Sequence, residues 1–247
     1  MKIIACYSNK GGVGKTASSV NVAYGLAKAG QRVLLCDLDP QGASGFYFRV
    51  KPSKKLTDDR FFTDVKRFTG AIRGSDFDNL DILPANMTFR DFDVFLSRMK
   101  NSRSRLKKAL KSVDSDYDVV LLDCPPNIST LSENIFRSAD AILVPVIPTT
   151  LSERTFEQLL EFFAEQDLPQ KKIMGFFSMV QGTKKLHAET MDGMRKAYPK
   201  RLLDVAIPFS TEVEKMGVHR APVATFARSG AASKAYDALC QTVRKRL

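Results

Sequence analysis

Residues 9–16 read NKGGVGKT, set between the apolar run KIIACYS (2–8) and a helix-like stretch over 15–29 that ends before Gly30. A buried strand, a glycine-dense turn and a helix in direct succession constrain this chain more than any other feature. In that layout backbone N–H groups curl around a phosphate, and the helix adds its positive N-terminal end. The usual spacing is G-x-x-x-x-G-K-[ST]. Gly14, Lys15 and Thr16 match its right-hand end, whereas Asn9 replaces the first glycine and Lys10 adds a second lysine inside the loop. In this register Lys15 reaches the β- and γ-phosphates and Thr16 offers its hydroxyl to Mg²⁺. Lys10, Gly11, Gly12, Val13, Gly14 and Ala17 complete the candidate phosphate-binding set.

The rest of the chain alternates as such a start requires. Strand-like runs at 32–39, 80–85, 117–126, 141–148 and 172–180, with a weaker one at 202–209, are separated by helical patterns at 88–112, 130–138, 152–166, 184–198 and 228–246. Strand–helix alternation predicts an α/β fold: a single doubly wound, mostly parallel sheet flanked by helices, in one domain over 1–247. Residues 50–79 are the least regular, with FFTDVKRF as a short helix. Ligands of such a sheet sit beyond the carboxyl ends of its strands.

Two of those ends carry carboxylates. LLCDLDPQG places Asp37 and Asp39 after the second strand, and VVLLDCPP places Asp123 behind four apolar residues. An isolated aspartate at a strand end is usually a turn residue. Two such ends behind a phosphate loop point instead to Mg²⁺, with Thr16, Asp37, Asp39 and Asp123 as the candidate metal set.

Charge then bears on partners. Lys+Arg 38 against Asp+Glu 27 gives a formal +11, an excess that favours nucleic acid or anionic lipid over a merely solubilising surface. The basic residues gather at 97–111, 181–187 and 243–247, with Arg244, Lys245 and Arg246 the best DNA-binding candidates. Without interleaved aromatics they suit backbone contact rather than base reading; the 97–111 stretch reads equally well as a solvated amphipathic helix. In the closing helix Tyr236, Leu239, Val243 and Leu247 fall near helical spacing, which fits either a membrane-facing or a core-packed face. The cysteines, Cys6, Cys36, Cys124 and Cys240, are scattered, and only His187 and His219 could join them, so packing is expected rather than metal binding. No apolar run approaches the ~20 residues of a membrane span, and the N-terminus enters a strand without an export-signal pattern, so an intracellular protein is expected.

Together, KGGVGKT, DLDPQG and DCPPNISTLSEN resemble the ParA/MinD family of deviant Walker A ATPases, and most of all its small ParA type, over nearly the whole chain. The resemblance implies a P-loop NTPase fold, ATP and Mg²⁺ as ligands, hydrolysis of ATP to ADP and phosphate, and a homodimer with nucleotide sandwiched at its interface. Lys10 would cross to the other subunit's phosphates, Asp39 would orient the attacking water, Asp37 would support the loop, and Asp123 would be the Walker B aspartate. The catalytic set is then Lys10, Lys15 and Asp39, with Pro208 and Phe209 beside the base, although the arginine or asparagine many relatives carry after that proline is absent. The implied function is partition or positioning of plasmid, chromosome or protein-complex cargo. An ATP dimer would bind nonspecific DNA, and a ParB-like or cargo-adaptor protein would trigger release, in the cytoplasm on the nucleoid. With no helix-turn-helix segment ahead of the first strand, operator binding is not expected. Two alternatives stay open: a membrane-surface regulator of the MinD kind, and a metallocluster reductase, which would need paired interfacial cysteines.

Overall fold

The computed structural model describes residues 1–247. Its strands are β1 (Lys2–Cys6), β2 (Val33–Asp37), β3 (Arg73–Gly74), β4 (Leu80–Leu83), β5 (Val119–Asp123), β6 (Ala141–Val146), β7 (Ile173–Val180) and β8 (Leu202–Pro208). They form one sheet in the order β3-β4-β2-β5-β1-β6-β7-β8. Every pairing is parallel except the short β3–β4 edge. The expected α/β class and doubly wound sheet are what is found.

The apolar strand runs are buried on both faces, as a helix-covered parallel sheet demands. Successive side chains go to opposite faces. Ile3 and Ala5 of β1 join Val120 and Leu122 of β5 in one core, while Ile4 and Cys6 join Val119 and Leu121 in the other. The second core is closed by helix Lys15–Lys28 and helix Ala231–Arg246. The latter buries Tyr236, Leu239 and Val243 there, so its apolar face is a packing face rather than a free membrane-facing one.

The region 88–112 is not the single helix its pattern suggests. A 3₁₀ turn (Met87–Asp91) leads into helix Phe92–Arg98, the chain then breaks, and a second helix runs from Arg105 to Leu110. Met99 is extended and Asn101 is left-handed at φ 56°. Asparagine is among the few non-glycine residues that take this conformation readily, and flanking serines favour turns over helix. Each half then dips its own apolar residues, Phe92 and Leu96 or Leu106 and Leu110, into the same core. FFTDVKRF likewise splits, into helices Asp58–Thr63 and Val65–Thr69. The cause is Asp64, whose carboxylate accepts the Arg67 N–H at 3.0 Å and so caps the second piece. Helix Ala43–Tyr47, strand β3 and the three short helices between 211 and 226 had no sequence signal strong enough to predict them.

Candidate nucleotide site

The loop leaves β1 at a place where the sheet order reverses: β1 lies between β5 and β6, and the chain proceeds first to β2 on one side and much later to β6 on the other. Such a switch point opens a crevice at the carboxyl ends. Register sets its depth. Cys6 at the end of β1 pairs with Asp123 of β5, which pairs in turn with Asp37 of β2. The loop therefore emerges level with both carboxylates.

Gly12 and Gly14 have φ of 69° and 90°, a region closed to most side chains. At Gly14 the constraint is double, because a Cβ there would also stand 3.0 Å from the Ser178 hydroxyl oxygen. The helix starts directly after it, with the Gly14 carbonyl accepting from the Ser18 N–H at 2.9 Å. Gly11 and Gly12 are exposed and face open space. Lys15 is buried, and its ammonium folds back across the loop to donate to the Lys10 carbonyl at 3.0 Å. Val13 is buried beneath the loop, while Thr16 and Ala17 are half-buried at the start of the helix.

Lys10 itself is held from two sides. Its backbone N–H donates to Ser8 Oγ at 3.3 Å and its ammonium to Ser152 Oγ at 3.2 Å. Ser152 belongs to helix Thr150–Glu165 and also accepts from the Thr149 hydroxyl at 3.0 Å. Lys10 is thus moored to a serine of its own chain.

Asp37 and Asp123 are fully buried. Asp37 accepts backbone N–H bonds from Asp39 (3.1 Å) and Ser44 (3.0 Å). Asp123 accepts hydroxyls from Ser19 (3.0 Å) and Ser44 (2.8 Å). Burial raises the pKa of both, and the neighbouring Asp123 charge pushes Asp37 further, well above the usual carboxylate range. The Ser44, Thr16 and Ser19 hydroxyls pull Asp123 back in part. Asp39 is half-buried in a tight turn: its Oδ1 accepts the Gln41 N–H at 3.0 Å and its carbonyl the Gly42 N–H at 2.9 Å. Of the residues absent from the sequence reading, Ser19 was findable, since it lies one helical turn from Thr16 on the same face. Ser44 and Ser152 were not, because nothing near them in sequence links them to the loop.

A cleft beside the loop helix is lined by Gly14, Ala17, Met179, Pro208, Phe209 and Tyr236, among others. Phe209 is 49% exposed there, and its N–H donates to the Val180 carbonyl at 2.9 Å. The structure thus brings Pro208 and Phe209 to the loop, along with Met179 from the end of β7 and Tyr236, which the sequence placed only on the apolar face of the closing helix. Arg244, Lys245 and Arg246 are exposed but elsewhere. Helix Ala231–Arg246 runs alongside Lys15–Lys28 in the same direction, with Cys240 Sγ against the Asn21 and Val22 carbonyls. The basic triplet therefore lies roughly 15 Å beyond Tyr236 along the helix axis, at 1.5 Å per residue. All four cysteines are buried and unbridged, and burial pushes the Cys6 thiol up to about 12.

The AAA_31 family model, described as an AAA domain, matches residues 1–174. The chain is 28% identical over 255 residues to the sporulation initiation inhibitor protein Soj of Bacillus subtilis, covering 98% of each chain. It is 27% identical over 255 residues to the chromosome partitioning protein ParA of Myxococcus xanthus, covering 98% of this chain and 88% of that one. The fold is also that of a cobyrinic acid a,c-diamide synthase from Mycobacterium smegmatis, solved with a bound ATP analogue and magnesium. Here the TM-score is 0.82 at 24% identity, over 99% of this chain and 95% of the other.

Proposed function

The chain belongs to the AAA_31 family and to the ParA/MinD P-loop ATPases, and on that premise we propose that it is an ATP-hydrolysing partition or positioning protein whose one domain spans 1–247. The observation that carries the reading is the alignment of three strand ends, which sets a glycine loop, two lysines and two buried carboxylates around one crevice.

The residues fit a hard divalent cation that arrives with a nucleotide. Asp123 is buried in a ring of hydroxyls, and the repulsion it exerts on Asp37 is what added positive charge would relieve. Mg²⁺ is commonly held by one or two carboxylates plus substrate phosphates. Thr16 and Asp123 would hold it, with Asp37 and Asp39 supporting. When bound, it neutralises charge on the phosphates.

The chain's own residues do the rest. Loop N–H groups and Lys15 bind the phosphates, and Asp39, with one oxygen spent on its turn, offers the other to a water. Pro208 and Phe209 flank the base. Lys10 leaves Ser152 when a second copy docks and reaches that copy's phosphates, where its charge counters the charge that develops during hydrolysis. The ATP dimer binds nonspecific DNA on the nucleoid, Arg244, Lys245 and Arg246 contribute, and an adaptor on the cargo triggers hydrolysis and release. The names of the similar proteins and the +11 charge support that reading. Co-sedimentation with duplex DNA and with anionic liposomes, each with ATP or ADP, tests it. Pelleting with DNA in ATP alone is expected, and pelleting with liposomes but not DNA would replace it with a membrane-surface role.

A further inference from the structure

A second positively charged feature lies at the amino end of the strands, away from the phosphate loop. It is an open groove of about 650 Å³ between the turn at 101–104, the last residues of helix Thr130–Ser138 and the turn that enters β7. Arg103, Lys107, Arg137 and Lys172 line it against one carboxylate, Asp167. Glu133 pairs with Arg103 at 3.4 Å, and the other three cations have no acidic partner within ion-pair distance.

The helix end accounts for only part of this charge. Lys172 donates to the Phe136 carbonyl at 3.3 Å, as a cation at a helix C-terminus should. Arg137 and Lys107 make no such bond. Two buried polar atoms at the groove also have no hydrogen-bond partner in the chain: Arg137 Nε and the hydroxyl of Ser138, a residue only 5% exposed. Buried polar groups are nearly always paired, so each exception asks for an explanation. Burial and the nearby Lys107 and Lys171 charges, outweighing Asp140, lower the Lys172 pKa; an anion would relieve that strain.

We propose that this groove binds a small, multiply charged phosphoryl anion of the oligophosphate class. Charge-assisted bonds from Lys107, Arg137 and Lys172 would meet its oxygens. The wall chemistry defines the class. A single hydrophobic residue lines the groove and no aromatic ring does, so it offers nothing for a base to stack on. Lys107 is exposed while Arg137 and Lys172 are half-buried, so the cations stand at different depths around the groove, which suits a compact anion that enters rather than a duplex backbone that rides over exposed cations. This site stands apart from the proposed ATPase cycle.

Calorimetry with sodium tripolyphosphate tests it on the full chain carrying Lys15→Ala, which silences the phosphate loop. One equivalent should bind, and adding Lys107→Glu, on the surface, or Lys172→Gln should weaken it by about tenfold or more, the scale of one charge-assisted contact. In the otherwise unchanged chain those two substitutions should leave basal ATP turnover intact. Absence of binding in the Lys15→Ala chain, or binding indifferent to Lys107→Glu, overturns the proposal. So does a short duplex DNA that binds through Lys107 where tripolyphosphate does not. Failure of ATP-driven DNA binding would sink the partition reading and leave this titration unaffected.

Discussion

The two ends of the sheet gather positive charge by different means. At the carboxyl ends, the phosphate loop relies on backbone: Gly12 and Gly14 hold left-handed conformations, and both lysines are already hydrogen-bonded within the chain, Lys15 to the Lys10 carbonyl and Lys10 to Ser152. At the amino ends, the groove is built from side chains, and Arg137 Nε and Ser138 Oγ lack partners. A backbone site is fixed in shape before its ligand arrives, which favours specificity. A side-chain site can reshape around its ligand and depends more on charge alone. The first should therefore respond to geometry and to a second copy of the chain, the second to salt and charge reversal.

The sharpest separation between the ends is kinetic. Lys10→Ala should lower ATP turnover by about a thousandfold, the lower range for a charge supplied in trans, while nucleotide affinity changes only a few-fold. Measured kcat beside a nucleotide Kd checks this, and unchanged turnover would leave Lys10 as a loop lysine moored to its own Ser152. Next in size, Lys15→Ala should cost about a hundredfold or more in ATP affinity, as expected for removing a buried charge-assisted contact. Tight ATP binding in that variant would show that the loop is not the nucleotide site.

The smallest effect is one of pH. His187 is buried, and its Nδ1 accepts the Gln181 N–H at 3.1 Å in the loop that follows β7. Burial, with Lys184 nearby, holds its pKa below the ordinary 6.5. The unfolded histidine therefore takes its proton first. The stability this residue contributes is complete above about pH 6.5 and is lost as pH falls through the lower folded value. A thermal midpoint that falls more between pH 7.5 and 5.0 in the native chain than in His187→Asn is the expected reading. An equal fall would remove His187 from the account.

Much of the candidate site was legible because its signals are local. NKGGVGKT, DLDP and LLDCPP each lie within one turn or strand end, and the apolar runs around them name their elements by period. The split at 99–101 was less legible, since the helical spacing of apolar residues continues across it and the break shows in the backbone of Met99 and Asn101. Tyr236 was invisible as a neighbour of Pro208, since helix packing brings it there.

By itself the sequence determined the strand–loop–helix start, the alternation that requires a parallel sheet, and the carboxylates at strand ends. Tertiary structure alone decided that Lys10 rests on Ser152, 142 residues away, and that Ser44 caps Asp123 across 79 residues. It also decided that segments around 103, 137 and 172 enclose one basic groove. Local pattern follows from the backbone periods of helix and strand, which any short window of sequence displays. A contact between distant residues follows from strand order and register, which exist only once the whole sheet has formed.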